Sequence, residues 1–395
     1  GVQWLGEIPG HWGCVPLKRI CEMKSGNNLT SLDILDAGDF PVYGANGFRG
    51  YYNQFNKEGK YILIGRQGAL AGNVHLVDGK FWATDHAIVV TLTSNKVYVD
   101  YMSLALISMN LNQYAFDTAA QPGLAVSKII PISAPLPPLS EQRSIVSYLD
   151  DKCGKIDEWV TKKQKEVEHL QELKQRVIAD AVTRGLNPHV KMKATNIPWI
   201  KEIPEHWEMR KMKYLFDERS EKNHPHEPML SATQSEGVIL QSKYQGRVVV
   251  VNTGFEGLKL VKVGDFVIHL RSFQGGIEYA HDRGIISSAY TILNPKYPEY
   301  SAYYKRLFKS SSFIDLLKIC VTGIREGQNI NYSKLKQFSI PVPPLSEQKQ
   351  IVSYLDAKCA KIDKLIANIT KEIECIKEYK QRLISDVVTG QIKVC

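Results

Sequence analysis

Little in this sequence equips it for catalysis or for crossing a membrane. No stretch approaches the ~18 consecutive apolar residues of a transmembrane helix, and no basic-then-apolar leader opens it. A cytoplasmic protein with no membrane partner is therefore expected. The seven cysteines are scattered, odd in number and lack a CxxC pair, which points to reduced thiols rather than disulfides or zinc. No GxxxxGK[ST] phosphate loop is present, so ATP hydrolysis by this chain is not expected. "GRQGALAG" (Gly65–Gly72) has glycines without the GxGxxG spacing of a dinucleotide site. No Ser-His-Asp set and no distinguished group of nuclease carboxylates can be nominated.

Two short motifs look suggestive and fail on inspection. "NPKY" (Asn294–Tyr297) has the outline of the Asn-Pro-Pro-Tyr motif of amino-methyltransferases. Lys296 breaks it, no Gly-rich cofactor loop stands upstream, and it is read as a turn. "HPH" (His224–His226) has no neighbouring cysteine or spaced histidine and is read as a loop. No metal, cofactor or catalytic residue is expected in this chain.

What remains is ordinary globular material. At 395 residues, 44% hydrophobic and 23% charged, the chain suffices for two or three domains with their own cores. The formal charge of +9 favours a polyanionic partner. It is unevenly spread. Counted along the sequence, 208–340 holds 19 Lys/Arg against 13 Asp/Glu, while 13–134 holds 10 against 9.

The dominant feature is duplication. "WLGEIPGHW" (Trp4–Trp12) returns as "WIKEIPEHW" (Trp199–Trp207), and "PPLSEQRSIVSYLDDKC" (Pro137–Cys153) returns as "PPLSEQKQIVSYLDAKC" (Pro343–Cys359). The longer block runs from Pro135 to about Thr183 and again from Pro341 to about Thr389, through "KQRVIADAVT" and "KQRLISDVVT". A repeat of this length is a duplicated half-molecule rather than a solenoid unit. Four segments follow: 1–134, a first variable domain with its short block; 135–186, a long helix; 187–340, a second variable domain with its linker; and 341–395, a second long helix.

Each long block reads as helix. Pro137-Pro138 ends the preceding extended stretch, and Ser140 with Glu141-Gln142 resembles an N-terminal cap. Apolar residues recur at three- and four-residue steps: Ile145, Leu149, Cys153, Ile156, Val160, Val167, Leu170, Val177 and Ala181. The second copy carries Ile351, Leu355, Cys359, Ile362, Ile366, Ile369, Ile373, Ile376, Leu383 and Val387. A seam of this length, with Gly154 its one glycine, predicts a coiled coil. Some 40 helical residues at ~1.5 Å each reach roughly 60 Å. The two stripes can cover each other as an antiparallel pair, or each can pack on its own domain; mutual pairing is the preferred reading.

The variable segments alternate short β-type runs with Gly, Asn and Asp turns, followed by "VDYMSLALISMNLNQYAF" and "EYSAYYKRLFKSSSFIDLLKI" as helix. Ile62–Ile64 and Phe266–Ile268 align as equivalent strands, each followed by a basic and polar turn. Two mixed α/β domains of one plan, with divergent surfaces, are expected. Arg, Gln and Asn carry the paired donors and acceptors that match base edges. Candidate base contacts are therefore Arg66, Gln67, Arg271 and Gln274, then Asn46, Arg49, Gln328, Asn329 and Asn331. Lys128, Lys243, Arg247, Lys259, Arg325 and Lys334 are candidate phosphate partners.

Taken together, the "PLPPLSEQ" helix entries, the "EIPxHW" openings and the duplicated variable segments resemble the specificity subunit of type I restriction–modification enzymes, across essentially the whole chain. The loop ends "AQPGLAVSKIIPISAPLPPL" and "GQNINYSKLKQFSIPVPPL" also look like the ends of that family's target recognition domains. The resemblance implies an α/β fold of two target recognition domains separated by two long antiparallel helices in pseudo-twofold arrangement. It implies a non-catalytic reader of double-stranded DNA, each domain binding one half of a bipartite site. Methyltransferase subunits and a restriction/translocase subunit would dock on it, and those partners, not this chain, would use S-adenosylmethionine and ATP with magnesium. The competing readings are a stand-alone bipartite DNA-binding regulator and a methyltransferase or nuclease complete in one chain.

Overall fold

The structure, a computed structural model, describes residues 4–68, 70–115, 123–246, 254–322 and 329–394. The chain divides into two compact units, residues 1–164 with 370–395, and residues 165–369. The mixed α/β plan expected for the variable segments is present in both.

In the first unit an antiparallel sheet runs in the order Cys21–Ser25, Ala87–Leu92, Tyr61–Gly65, Val74–Val77. Alternation along the strands sends side chains to both faces. Ile62, Ile64, Ile88 and Val90 pack with the helix Val99–Ser108, whose buried residues include Tyr101, Met102, Ala105 and Leu106. On the other face Leu63 and Val89 pack with Phe81 and Ala83 of a second sheet, ordered Gly47–Tyr52, Phe40–Gly44, Lys80–Ala83, Lys57–Glu58. Both faces are covered, which explains why these strands read as near-continuous apolar runs.

The second unit repeats the order with Phe216–Arg219, Thr291–Pro295, Phe266–Ile268 and Glu278–Tyr279. The expected equivalence of Ile62–Ile64 with Phe266–Ile268 therefore holds: each lies third in its sheet. Here the inner face packs on two helices, Ser301–Leu307 and Ser311–Ile319. The other face meets the hairpin Leu230–Thr233 with Gly237–Leu240 and the pair Lys259–Val261 with Gly284–Ile286. "NPKY" is not simply a turn. Asn294 and Pro295 end a strand, and the Asn294 Oδ1 accepts from Arg219 Nη2 at 3.0 Å.

The long blocks are single helices, Leu139–Arg184 and Leu345–Val388. Ser140 lies inside the first turn rather than capping it, because the helix begins one residue earlier and Gln142 N–H already donates to the Pro138 carbonyl. Each unit contains the first half of one helix and the last half of the other. In the first, Ile145 and Leu149 share a core with Leu383 and Val387, and Lys380 Nζ lies 2.7 Å from Asp157. In the second, Ile178 and Ala181 share a core with Ile351 and Leu355, and Lys174 Nζ lies 2.6 Å from Asp363. The pairing is antiparallel, and every residue of the two apolar stripes is buried or half-buried.

The duplicated motifs turn out to be anchors. Trp12 Nε1 donates to Glu141 at 2.9 Å, and Trp207 Nε1 donates to Glu347 at 2.9 Å. His11 and His206 contact the same carboxylates at 2.9 and 2.8 Å. Gln142 and Gln348 donate to the Pro137 and Pro343 carbonyls, both at 2.8 Å. Finally, the Tyr101 hydroxyl shares its proton between Pro135 O at 3.1 Å and Val388 O at 3.3 Å, and the Tyr303 hydroxyl donates to Val182 O, so each domain helix meets the end of a long helix. Thus "HW" and "SEQ" meet in each unit to fix where the domain joins its rod. The Glu141 carboxyl is raised by partial burial, but the hydrogen bonds from Trp12 and His11 together outweigh this and hold it below the usual range.

Candidate nucleic-acid interface

In the first unit three loops converge at one edge. The hairpin turn at 44–47 carries Asn46 and leads to Arg49, both exposed. Thr84 N–H donates to the Tyr43 carbonyl, tying the 84–86 turn to that hairpin. Arg66 N–H donates to His86 O at 2.9 Å and its Nη1 to Asp85 O at 3.3 Å. Gln67, exposed, bridges to Gly123, and Leu124 N–H donates to Arg66 O. Lys128 stands exposed on the short helix Val126–Ile129 that follows. Asn46, Arg49, Arg66 and Gln67, widely separated in sequence, are thus carried by loops tied to one another.

Beneath this cluster sits His75, which the sequence did not flag. Gly47 adopts φ +83°, and a Cβ there would stand 3.1 Å from the imidazole Cε1. Burial lowers the His75 pKa, so the neutral ring is the favoured form. Phe48, 53% exposed, is a further unflagged residue and offers a ring face at the same hairpin.

The second unit builds the equivalent edge differently. Arg271 and Gln274 lie exposed on the turn and short helix Ser272–Gly275. The hairpin turn at 233–237 lies alongside, so that a Cβ on Gly275 would meet the Gln234 side chain at 2.7 Å. Strand Asn329–Ile330 also neighbours the short helix, placing exposed Asn329 there. Gln234 was invisible in the sequence because only the fold brings it within reach of residue 275.

Several candidates spend polar atoms inside the fold. Lys259 Nζ donates to Tyr290 O at 2.8 Å, Lys334 Nζ to Ile319 O at 2.7 Å, and Lys243 Nζ lies 3.1 Å from Asp282. Asn331 caps a short helix by accepting from Lys334 N–H at 3.0 Å. Arg247, Arg325 and Gln328 lie outside the described residues. His281, also missed, receives a 3.2 Å contact from Lys305 Nζ, and burial lowers both pKa values, each cation nearby adding to the effect.

Among the described residues, unpaired buried polar atoms at these edges include His75 Nε2, Thr84 Oγ1 and Asp85 Oδ1 in the first unit and His269 Nε2 and Glu278 Oε2 in the second. Others, such as Asp100 Oδ2, Trp199 Nε1 and Gln348 Oε1, lie away from them. Such atoms are costly and native structures hold few of them. Among the described residues no group of three His, Cys, Asp or Glu could hold a metal ion, and His224 of "HPH" contacts Glu221 at 3.0 Å. No described helix is long and apolar enough to cross a membrane.

Two α/β units of one plan, each fastened to paired long helices and each with Arg, Gln and Asn loops at one edge, define a duplicated two-domain protein. The family described as type I restriction modification DNA specificity domain matches residues 9–169 and 200–375. The chain belongs to that family. It is 26% identical over 428 aligned positions to the putative type I restriction enzyme MjaX specificity subunit of Methanocaldococcus jannaschii, covering 99% of this chain and 96% of that one. It is 39% identical over 138 residues to the type I restriction enzyme EcoprrI specificity subunit of Escherichia coli, a match spanning only 34% of either chain. A chain solved in a study of complex assembly and conformational transition of the type I restriction–modification system shares the fold, with TM-score 0.67 and 16% identity over 98% of this chain.

Proposed function

We propose that this chain is the non-catalytic DNA-reading subunit of a type I restriction–modification complex, with one unit for each half of a bipartite site. The observation that carries the reading is the duplicated edge. The same sheet order and the same anchors support it twice, while the residues displayed differ: Asn46, Arg49, Arg66 and Gln67 in one unit, Gln234, Arg271, Gln274 and Asn329 in the other. Constant supports with unlike loops suit one duplex carrying two unlike half-sites. Phosphate contacts would supply most of the affinity and base contacts the selectivity.

Methyltransferase subunits, and a restriction/translocase subunit with them, would dock on the helix starts. Ser147, Asp150 and Lys152 recur as Ser353, Asp356 and Lys358, exposed in both copies. Asp356 is engaged by Arg306 within the second unit, so it is identity at the exposed serine and lysine positions that favours two equivalent docking positions. S-adenosylmethionine and ATP with magnesium would be used by those partners, in the cytoplasm.

The test is methylome sequencing of a host carrying the partner subunits, with and without this chain. A split motif that appears only with the chain is expected; an unbroken motif, or none that depends on the chain, refutes the proposal. Ile362→Lys places a charge in the buried seam and should cost about 2–4 kcal/mol. The half-site sequences should persist while tolerance for spacer length broadens.

A further inference from the structure

We propose that Lys309 is a positioning residue for sequence reading by the second unit. Its ammonium fastens the turn that carries Gln234 to the loop that carries Arg271 and Gln274. The inference rests on the DNA-reading function proposed above.

An ammonium has three N–H donors, and Lys309 has an acceptor for each: Glu278 Oε1 at 2.5 Å, Gly275 O at 2.9 Å and Gln234 O at 3.1 Å. Two of these acceptors are backbone carbonyls from loops about 40 residues apart, one in each reading element. The third fixes the cation itself. Glu278 is fully buried on the edge strand of the sheet, opposite Val267, so its carboxylate cannot follow a moving lysine. A backbone carbonyl bound to a held charge has its position dictated, and charge-assisted hydrogen bonds are the strong ones.

The loop is also fixed from its other end. His269 N–H donates to Ser272 Oγ at 2.9 Å, and the His269 ring accepts from Arg271 N–H through Nδ1 at 3.2 Å. That leaves Nε2 to carry the ring proton, 3.6 Å from Glu278 Oε1 and without a partner. Gly276 closes the loop at φ +88°, where a Cβ would stand 2.1 Å from Phe308 O. Arg271 and Gln274 therefore project from a backbone held at His269, at Gly275 and at Gly276. Among the described residues the first unit lacks the buried glutamate on which this device rests. The position equivalent to Glu278, opposite Leu63, is taken by the half-buried His75.

The full chain is tested by two readouts. Hydrogen exchange without DNA should show Lys309→Met speeding exchange across 234–237 and 269–276 while the 44–49 and 65–68 loops are unchanged. Binding to duplexes altered in one half-site at a time should show discrimination falling about tenfold at the half-site read by the second unit, the scale of one lost base contact, with the other half-site unaffected. Lys309→Arg should restore most of both. Lys309→Met alone leaves a buried carboxylate unpaired, so the double variant Lys309→Met with Glu278→Gln separates a loosened loop from a failed fold. It should fold and still show the fast exchange. Unchanged exchange in these loops, or equal weakening at both half-sites, overturns the proposal. A wild-type chain with no sequence preference overturns the DNA reading instead, and loop exchange then decides the clamp by itself.

Discussion

Beneath the four-stranded sheet of the second unit lie Phe216, Phe266, Phe308 and Phe313, with Phe308 4.7–5.5 Å from each of the others. The corresponding core of the first unit has Ile62 and Cys21 at the positions of Phe266 and Phe216, and includes Met23, Met102, Leu106 and Met109. Rigid rings with preferred edge contacts and flexible thioethers with none support one sheet order. The plan is therefore not held by particular core side chains, which can be exchanged if volume and pattern are kept. What does stay the same is the set of anchors: Trp to Glu, Gln to the proline linker, Tyr to the end of the partner helix, Lys to Asp along the rod. These anchors join each unit to its helices in both copies, with additions on either side: Gln142 to Lys96 O and Tyr98 N–H in the first unit, and Arg306 to Asp356 in the second. The residues that face outward at the loop edge, by contrast, differ.

The largest test of this contrast uses one anchor in two settings. Trp207 is fully buried, whereas Trp12 is half-exposed, although each indole donates to its glutamate at the same distance. Trp207→Ala should cost about 3–5 kcal/mol through the cavity left behind. Trp12→Ala should cost roughly half as much, since less area leaves water. Urea unfolding of the full chain, with hydrogen exchange assigning the loss to a unit, measures both. A larger cost at Trp12 would show that the anchor bond rather than burial carries the energy.

How much of this was legible in the sequence depends on the range of the interaction. The long helices could be read because their stripes repeat every three to four residues, and Ile62–Ile64 because both sheet faces are covered. Local cues misled at Ser140, which has the type of a cap but sits after Pro137-Pro138, where the helix has already begun. At the loop edges residue type in glycine turns found Asn46, Arg49, Arg66 and Gln67. It missed Gln234, His75 and Lys309, whose partners lie 28 to 75 residues away and share no local pattern. It also promoted Lys259, which nothing in its neighbourhood marks as bound to Tyr290.

The next test sharpens the difference under the loop edges. Gly47→Ala must tolerate φ +83° and a methyl 3.1 Å from the His75 ring, and should cost about 1–3 kcal/mol. The loss should be confined to the first unit. His75 adds a pH dependence of known sign. Its folded-state pKa is lowered by burial, so its contribution is fully present above the unfolded value of ~6.5 and is lost as pH falls through the lowered folded value. Exchange in the 44–49 turn, corrected for intrinsic rate, should therefore rise on acidification below pH ~6.5, and His75→Gln should flatten that rise.

The smallest effect tests the sameness of the rods. Asp157 with Lys380 and Asp363 with Lys174 are the same two sequence positions exchanged between copies, with lysine side chains 27% and 28% exposed and aspartates more than half exposed. Exposed pairs of this kind couple by roughly 0–1 kcal/mol, because water screens the charges and two long side chains must be held still. Double-mutant cycles using Lys→Met and Asp→Asn should give equal couplings for the two pairs, each shrinking as salt shortens the screening length. Equality at so small a value would mean that the rods are set by their apolar seam and that the ion pairs only favour one register. A coupling well above ~1 kcal/mol in one unit alone would mean that the helix pairings in the two units are not energetically equivalent. Partner subunits would then meet two different docking positions, and the symmetry seen in Ser147, Asp150 and Lys152 would be one of sequence only.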